Sequence, residues 1–169
     1  LMLDAHKAGN LGFEMARLPQ HISLKQPFLI PNLEEFEKFF DEFVKELKPI
    51  RVKFKHINVY PSNVLGYESG CMSIEVEKTN ELDLAQKKLF KKLEERFGRC
   101  PAEHDDNYIF HMTIAIGGAN YDCYKKAYAK MVKKNYNKEC IFNKLGLLYY
   151  DDNNIKPGTY FCYKILELN

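Results

Sequence analysis

The sequence has no pair of cysteines at C-x-x-C spacing. Cys71, Cys100, Cys123, Cys140 and Cys162 are odd in number and widely scattered. A disulfide framework or structural zinc site is therefore not expected, and reduced thiols in a cytoplasmic protein fit better. Cys100 and His104 could supply two metal ligands, but no second ligand pair stands at zinc-like spacing. No apolar run approaches the length that spans a bilayer. No charged-then-apolar leader opens the chain. A strong charge of one sign is also lacking. Lys plus Arg number 25 against 23 Asp plus Glu, so the net charge makes no demand for a nucleic-acid partner. Two lysine groups, Lys87, Lys88, Lys91 and Lys92, and Lys125, Lys126, Lys130, Lys133 and Lys134, read as solvated helix faces. No low-complexity stretch interrupts the chain. What is present is core material. Apolar residues make up 46% of the chain, with 12 Phe and 11 Tyr, enough for one compact domain or two small lobes sharing a core.

The pattern of elements is mixed. Leu1-Met2-Leu3 reads as the end of a strand, residues 8–11 as loop, and residues 21–24 as a half-buried strand. Asn32 caps a helix in which Leu33, Phe36, Phe39, Phe40, Phe43, Val44 and Leu47 form one apolar stripe, with Glu35 at the capping-box position and Pro49 as terminator. Ile50, Val52 and Phe54 alternate as a strand, and Ile57 and Val59 continue it out of phase, which predicts a bulge near Lys55-His56. A further strand within 64–77 puts Cys71, Ser73 and Glu75 on one face and Met72, Ile74 and Val76 on the other. Residues 82–97 form a second helix, with Ala85, Leu89, Leu93 and Phe97 inward and Gly98 at its C-terminal cap. A polar loop, 100–107, leads to a strand over 109–116. A third helix, 121–135, carries Tyr124, Tyr128, Met131 and Val132. Strands over 141–150 and 159–168 flank Asp151-Asp152-Asn153-Asn154 and Pro157-Gly158, a hairpin with a long turn. Strands interspersed with helices in this order point to an α+β domain.

Two stretches echo each other. His21-Ile22-Ser23-Leu24 and His111-Met112-Thr113-Ile114 each place a histidine two residues before a hydroxyl, with apolar residues between and after. In a strand, alternate side chains share a face. Each stretch would then anchor by its apolar side and present an imidazole and a hydroxyl together. Serine and threonine are scarce here, and His6, His56 and His104 have no hydroxyl two places on. An imidazole titrates near neutrality, so two can divide proton transfer across a phosphodiester. Ser23 and Thr113 can donate to the phosphate oxygens as charge builds. The scheme needs no metal, and no dense carboxylate or histidine cluster offers to hold one. By alternation Lys25 lies on the His21 face, within reach of phosphate. Tyr149 or Tyr150 could stack on a base.

The tandem pattern resembles the 2H phosphoesterase superfamily, which includes the bacterial 2′-5′ RNA ligase-like proteins and cyclic phosphodiesterases. Its hallmark is two His-x-Thr/Ser-x motifs with x apolar. Leu18-Pro19-Gln20 before the first motif, Pro27-Phe28 after it, and the run Phe110-His111-Met112-Thr113-Ile114-Ala115 followed by Gly117 resemble the family's flanks. The closing stretch, Leu147-Leu148-Tyr149-Tyr150 to Thr159-Tyr160-Phe161, resembles the terminal hairpin of the bacterial branch. The resemblance spans roughly residues 18–168. It implies a single bilobal domain over residues 1–169, with two small antiparallel sheets flanking a central cleft and helices outside. Only twenty weakly patterned residues precede His21, so the N-terminal strand and helix usual in the family are expected to be truncated or reduced. By the same likeness His21 and His111 are catalytic and Ser23 and Thr113 bind phosphate, with no cofactor and no metal. The partner is a nucleotide or RNA bearing a 2′,3′-cyclic phosphate or a 2′-5′ linkage, with no membrane partner, acted on by a monomer. Hydrolysis of the cyclic phosphodiester is the leading expectation. The alternatives are 2′-5′ RNA ligation in the same cleft and a binding protein for RNA ends or nucleotides that does not turn over.

Overall fold

The first nine residues do not end a strand. Met2–Gly9 is a helix, α1, because Ala5 is completely buried against a later helix and Met2 and Ala8 pack beside it. So short a helix is held by tertiary contact rather than by its own propensity. The structure, a computed structural model, describes residues 1–9, 11, 18–64, 67–150 and 161–169.

Asn32 caps α2 (Leu33–Lys45) as its sequence predicts, its side chain accepting from the Glu35 N–H at 2.9 Å. The Glu35 carboxylate does not close a capping box but approaches Arg96 at 3.7 Å. Phe36, Phe39, Phe40, Phe43 and Val44 are buried. The chain then runs through β1 (Ile50–Val64), β2 (Tyr67–Val76), α3 (Asn80–Phe97), β3 (His111–Ile116), α4 (Tyr121–Met131), β4 (Glu139–Phe142), β5 (Lys144–Tyr149) and β6 (Phe161–Glu167). A short 3₁₀ turn, Asp105–Asn107, precedes β3.

The architecture is α+β. Four strands form an antiparallel sheet in the order β3-β2-β1-β4, and β5 pairs with β6 in a separate two-stranded sheet. The strand expected over 141–150 is therefore two strands in two sheets, parted at Asn143, whose carbonyl accepts from Leu168 N at 2.8 Å. The expected turn at Asp151–Asn154 and Pro157-Gly158 lies outside the described residues. α4 stops at Met131, short of the expected end at 135, and Val132, expected within the helix, is 42% exposed.

Two apolar clusters make up the core. One joins α2 and α3 to the first half of β1, to β4 and β5, and to Leu168 just past β6. The other joins α1 and α4 to β2, β3 and the second half of β1. Ile22 and Phe54 pack against both.

Candidate active site

Residues 21–24 are not a strand: the backbone is irregular, with a bend at Leu24 and Lys25. Prolines 19 and 27 bracket the stretch and cannot donate to a ladder. Its carbonyls are satisfied by side chains instead. Tyr108 donates its hydroxyl to the Ser23 carbonyl at 2.9 Å, and Gln86 Nε2 donates to the Leu24 carbonyl at 2.9 Å. Such substitutes fulfil the requirement that buried peptide groups be paired. They also fix the first motif to the approach of the second, since Tyr108 lies three residues before His111. Gln26 Nε2 reaches the same Tyr108 oxygen at 3.3 Å.

The second motif is in a strand, as expected. In β3, Met112 and Ile114 are buried while His111 and Thr113 are partly exposed. The register pairs Thr113 with Ser73 and His111 with Glu75 on β2. Burial pushes the Cys71 thiol up to about 11, and the Thr113 side chain hydrogen-bonds it. A thiol so placed stays neutral at physiological pH.

The two histidines share one detail despite their different backbones. His21 Nδ1 lies 2.9 Å from the Pro19 carbonyl, and His111 Nδ1 lies 2.8 Å from the Ile109 carbonyl. In each case the partner is the peptide oxygen two residues back. A carbonyl only accepts, so Nδ1 carries the proton in both rings. Nε2 is left as the basic nitrogen of the neutral imidazole and the acidic N–H of the protonated one.

A cleft of about 750 Å³ opens between residues 19–31, α2 and the β4–β6 region. His21, Ser23, Lys25, Tyr149 and Tyr150 all line it. His111 and Thr113 are not among its lining residues but stand on the sheet face of β3. Lys25 is not available as a surface cation. Its side chain is 5% exposed, its ammonium pairs with Asp105 at 2.6 Å and it sits 4.3 Å from the Phe90 ring centre. Tyr149 packs edge-on against Phe161, with ring centres 5.8 Å apart.

The lysine groups are largely neutralised, as solvated faces should be. Lys88 and Lys92 each pair with Glu46 at 2.9 Å, Lys87 pairs with Asp83 at 2.7 Å, and Lys125 pairs with Asp122 at 2.6 Å. Among the described residues, no three His, Cys, Asp or Glu side chains converge to hold a metal. No helix among them is long and apolar enough to cross a membrane.

Sequence reasoning missed the neighbours of His111. The bulge on β1 is where the phase slip predicts it, between Phe54 and Ile57. It sets both Lys55 and His56 opposite the single residue Glu75, and both contact it, at 2.9 and 3.3 Å. The hydrogen bond from Lys55 holds the Glu75 carboxyl below the usual carboxylate range. The alternation of β2 identified Glu75 as sharing a face with Cys71 and Ser73. Only the strand register reveals that this face continues into His111.

The model of the 2′-5′ RNA ligase superfamily matches residues 5–154, and the chain belongs to that family of 2H phosphoesterases. The crystal structure of TT0787 of Thermus thermophilus matches the fold with a TM-score of 0.56 at 20% identity, over 88% of this chain and 78% of that one. No match was found among curated proteins.

Proposed function

We propose that the chain is a phosphodiesterase that opens a 2′,3′-cyclic phosphate, or a related cyclic phosphodiester, on a nucleotide or RNA end. One of His21 and His111 takes a proton from water through Nε2, and the water oxygen attacks phosphorus. The bond from phosphorus to one ribose oxygen breaks, and the Nε2–H of the other histidine protonates that oxygen. Ser23 and Thr113 donate to the non-bridging oxygens as negative charge accumulates. The proton balance closes without a metal ion.

The observation that carries this reading is the matched pair of Nδ1–carbonyl bonds. Two imidazoles from unlike backbones, held in the same tautomer, leave two Nε2 atoms to exchange protons with a substrate. Tyr108 supports it by tying the two motif segments together. Lys25 enters as a tether of the first motif, through Asp105. Tyr149 and Tyr150 offer rings to the nucleotides that lead up to the cyclic end.

The test is hydrolysis of a panel of 2′,3′-cyclic nucleotides with chelator present. Turnover should survive the chelator and fall about 10²–10⁴-fold in His21→Ala and in His111→Ala. Turnover unchanged in both variants would remove the assignment. Joining of RNA ends into a 2′-5′ linkage by the wild type would favour the ligase direction, and binding without turnover would favour the non-catalytic alternative.

A further inference from the structure

The cleft beside His21 is walled by two stretches of chain, residues within 19–31 on one side and 141–150 on the other. Alternate residues of a strand face opposite sides. Every residue from Lys144 to Tyr149 lines the cleft, so β5 borders it with its edge rather than with one face. β5 pairs with β6 alone among the described residues, and half of its backbone N–H and C=O groups therefore turn away from β6, towards the cleft. The opposite wall is equally bare. Among the described residues, no backbone–backbone hydrogen bond reaches 19–31, although Ile22 and Leu24 pack on the apolar core. The Ser23 and Leu24 carbonyls are taken by Tyr108 and Gln86, so this wall offers the cleft chiefly N–H donors.

Both bare edges run beside apolar surface. Phe36, Phe40, Leu145 and Leu147 line the cleft. Leu29, Ile141 and Ile165 in its lining are 73%, 63% and 47% exposed. A purely apolar ligand would cover these side chains and leave the backbone edges unmet. A strand does both, since it pairs through its main chain and buries every second side chain. The size agrees. A strand matching the six residues of β5 is about 20 Å long, 4.8 Å wide along its hydrogen bonds and 10 Å deep, roughly 950 Å³. The cleft, at about 750 Å³, has room for one such strand and not for two. A second copy offering its own β5 would bring the paired β6 with it and be too wide.

We infer that the cleft is a strand-addition site, filled by an extended segment of a partner polypeptide. The segment spans about six residues and alternates apolar with small polar side chains. Its backbone pairs with β5, extending the β5–β6 sheet to three strands, and accepts from N–H groups of the 19–26 stretch on its far side. Its apolar side chains, β-branched by preference, lie on Phe36, Phe40 and Leu147. Its polar side chains face the side of Tyr149, which the register sets on the opposite face of the hairpin from Leu145 and Leu147. With a neighbour to pair with, the alternation of His21-Ile22-Ser23-Leu24 becomes that of a true strand.

The test uses the whole chain and a blocked hexapeptide alternating valine and threonine. Binding is followed by fluorescence anisotropy of the labelled peptide, and hydrogen exchange is followed over residues 144–149. The peptide should bind saturably and slow exchange of the outward-facing β5 amides about tenfold or more. Two further peptides carry N-methyl groups on one or the other alternate set of amides, which keeps the side chains and blocks one edge. The one blocked along β5 should bind about tenfold or more weakly. Equal affinity of all three peptides would make the cleft a pocket for apolar groups and overturn strand addition, as would the absence of saturable binding at millimolar peptide. Ile141→Lys changes an exposed side chain of the cleft and should weaken binding without loss of stability. Undiminished binding in that variant would put the peptide elsewhere and likewise overturn the site. No readout involves turnover, so the outcome is independent of the phosphodiesterase reading.

Discussion

Tyr108 joins packing, protonation and the site in one side chain. Its ring is buried against Phe110, with centres 5.2 Å apart, and its hydroxyl donates to the Ser23 carbonyl. Burial pushes the phenol from 10.0 up to about 12. The fold thus prefers the neutral phenol. Its contribution is whole below pH 10.0 and drains away as pH rises toward about 12. Tyr108→Phe removes the bond, leaves the Ser23 carbonyl short of a partner and should cost about 1–2 kcal/mol at neutral pH. Denaturant titrations of both proteins should show the wild type losing more stability than the variant between about pH 10 and 12. A parallel decline of the two curves would place the alkaline sensitivity elsewhere. The same substitution loosens the first motif from the second, so kcat should drop even where the variant is fully folded.

At the scale of elements, legibility followed the source of each element's hydrogen bonds. β3 was readable because a ladder partner and a buried face impose strict alternation on His111-Met112-Thr113-Ile114. The first motif carries the same alternation without a ladder. Its carbonyls go to Tyr108 and Gln86, residues far away in sequence, and no local pattern announces that. α2 and its Asn32 cap are local and were legible; α1 depends on α4 and was not. The β1 bulge could be placed from the phase of its apolar residues. Its consequence, an ammonium and an imidazole gathered on Glu75, required the register. The packing of α4 on the sheet offers a direct test. A Cβ on Gly70 would lie 2.3 Å from the Tyr124 ring, which is fully buried and anchored by its hydroxyl to the Gly117 carbonyl at 2.7 Å. Gly70→Ala should therefore destabilise the protein by about 1–3 kcal/mol in urea titration. A neutral result would mean that α4 can slide without cost.

At the scale of the whole molecule, electrostatics is subdued. The formal net charge is +2, and the lysines of α3 are spent on Glu46, Asp83 and Glu95. Recognition of an RNA end should then depend on a few local contacts rather than on a long-range field. For one or two neutralised phosphates, raising salt from about 50 to about 200 mM should weaken binding of a short RNA with a cyclic end by less than about tenfold. A steeper loss, measured by fluorescence anisotropy, would reveal an extended basic track.

The tie between Tyr108 and Ser23 spans 85 positions of the chain. During synthesis at about 5–20 residues per second, the first histidine motif leaves the ribosome roughly 4–17 s before the tyrosine that fastens it. Until then the Ser23 carbonyl has only water to bond, and the two motif segments are not yet tied to each other. The nascent N-terminal half should thus be a loosely tied, proteolytically open intermediate. The proposed site is completed in one late step, when the segment around Tyr108 folds back over a motif made long before it.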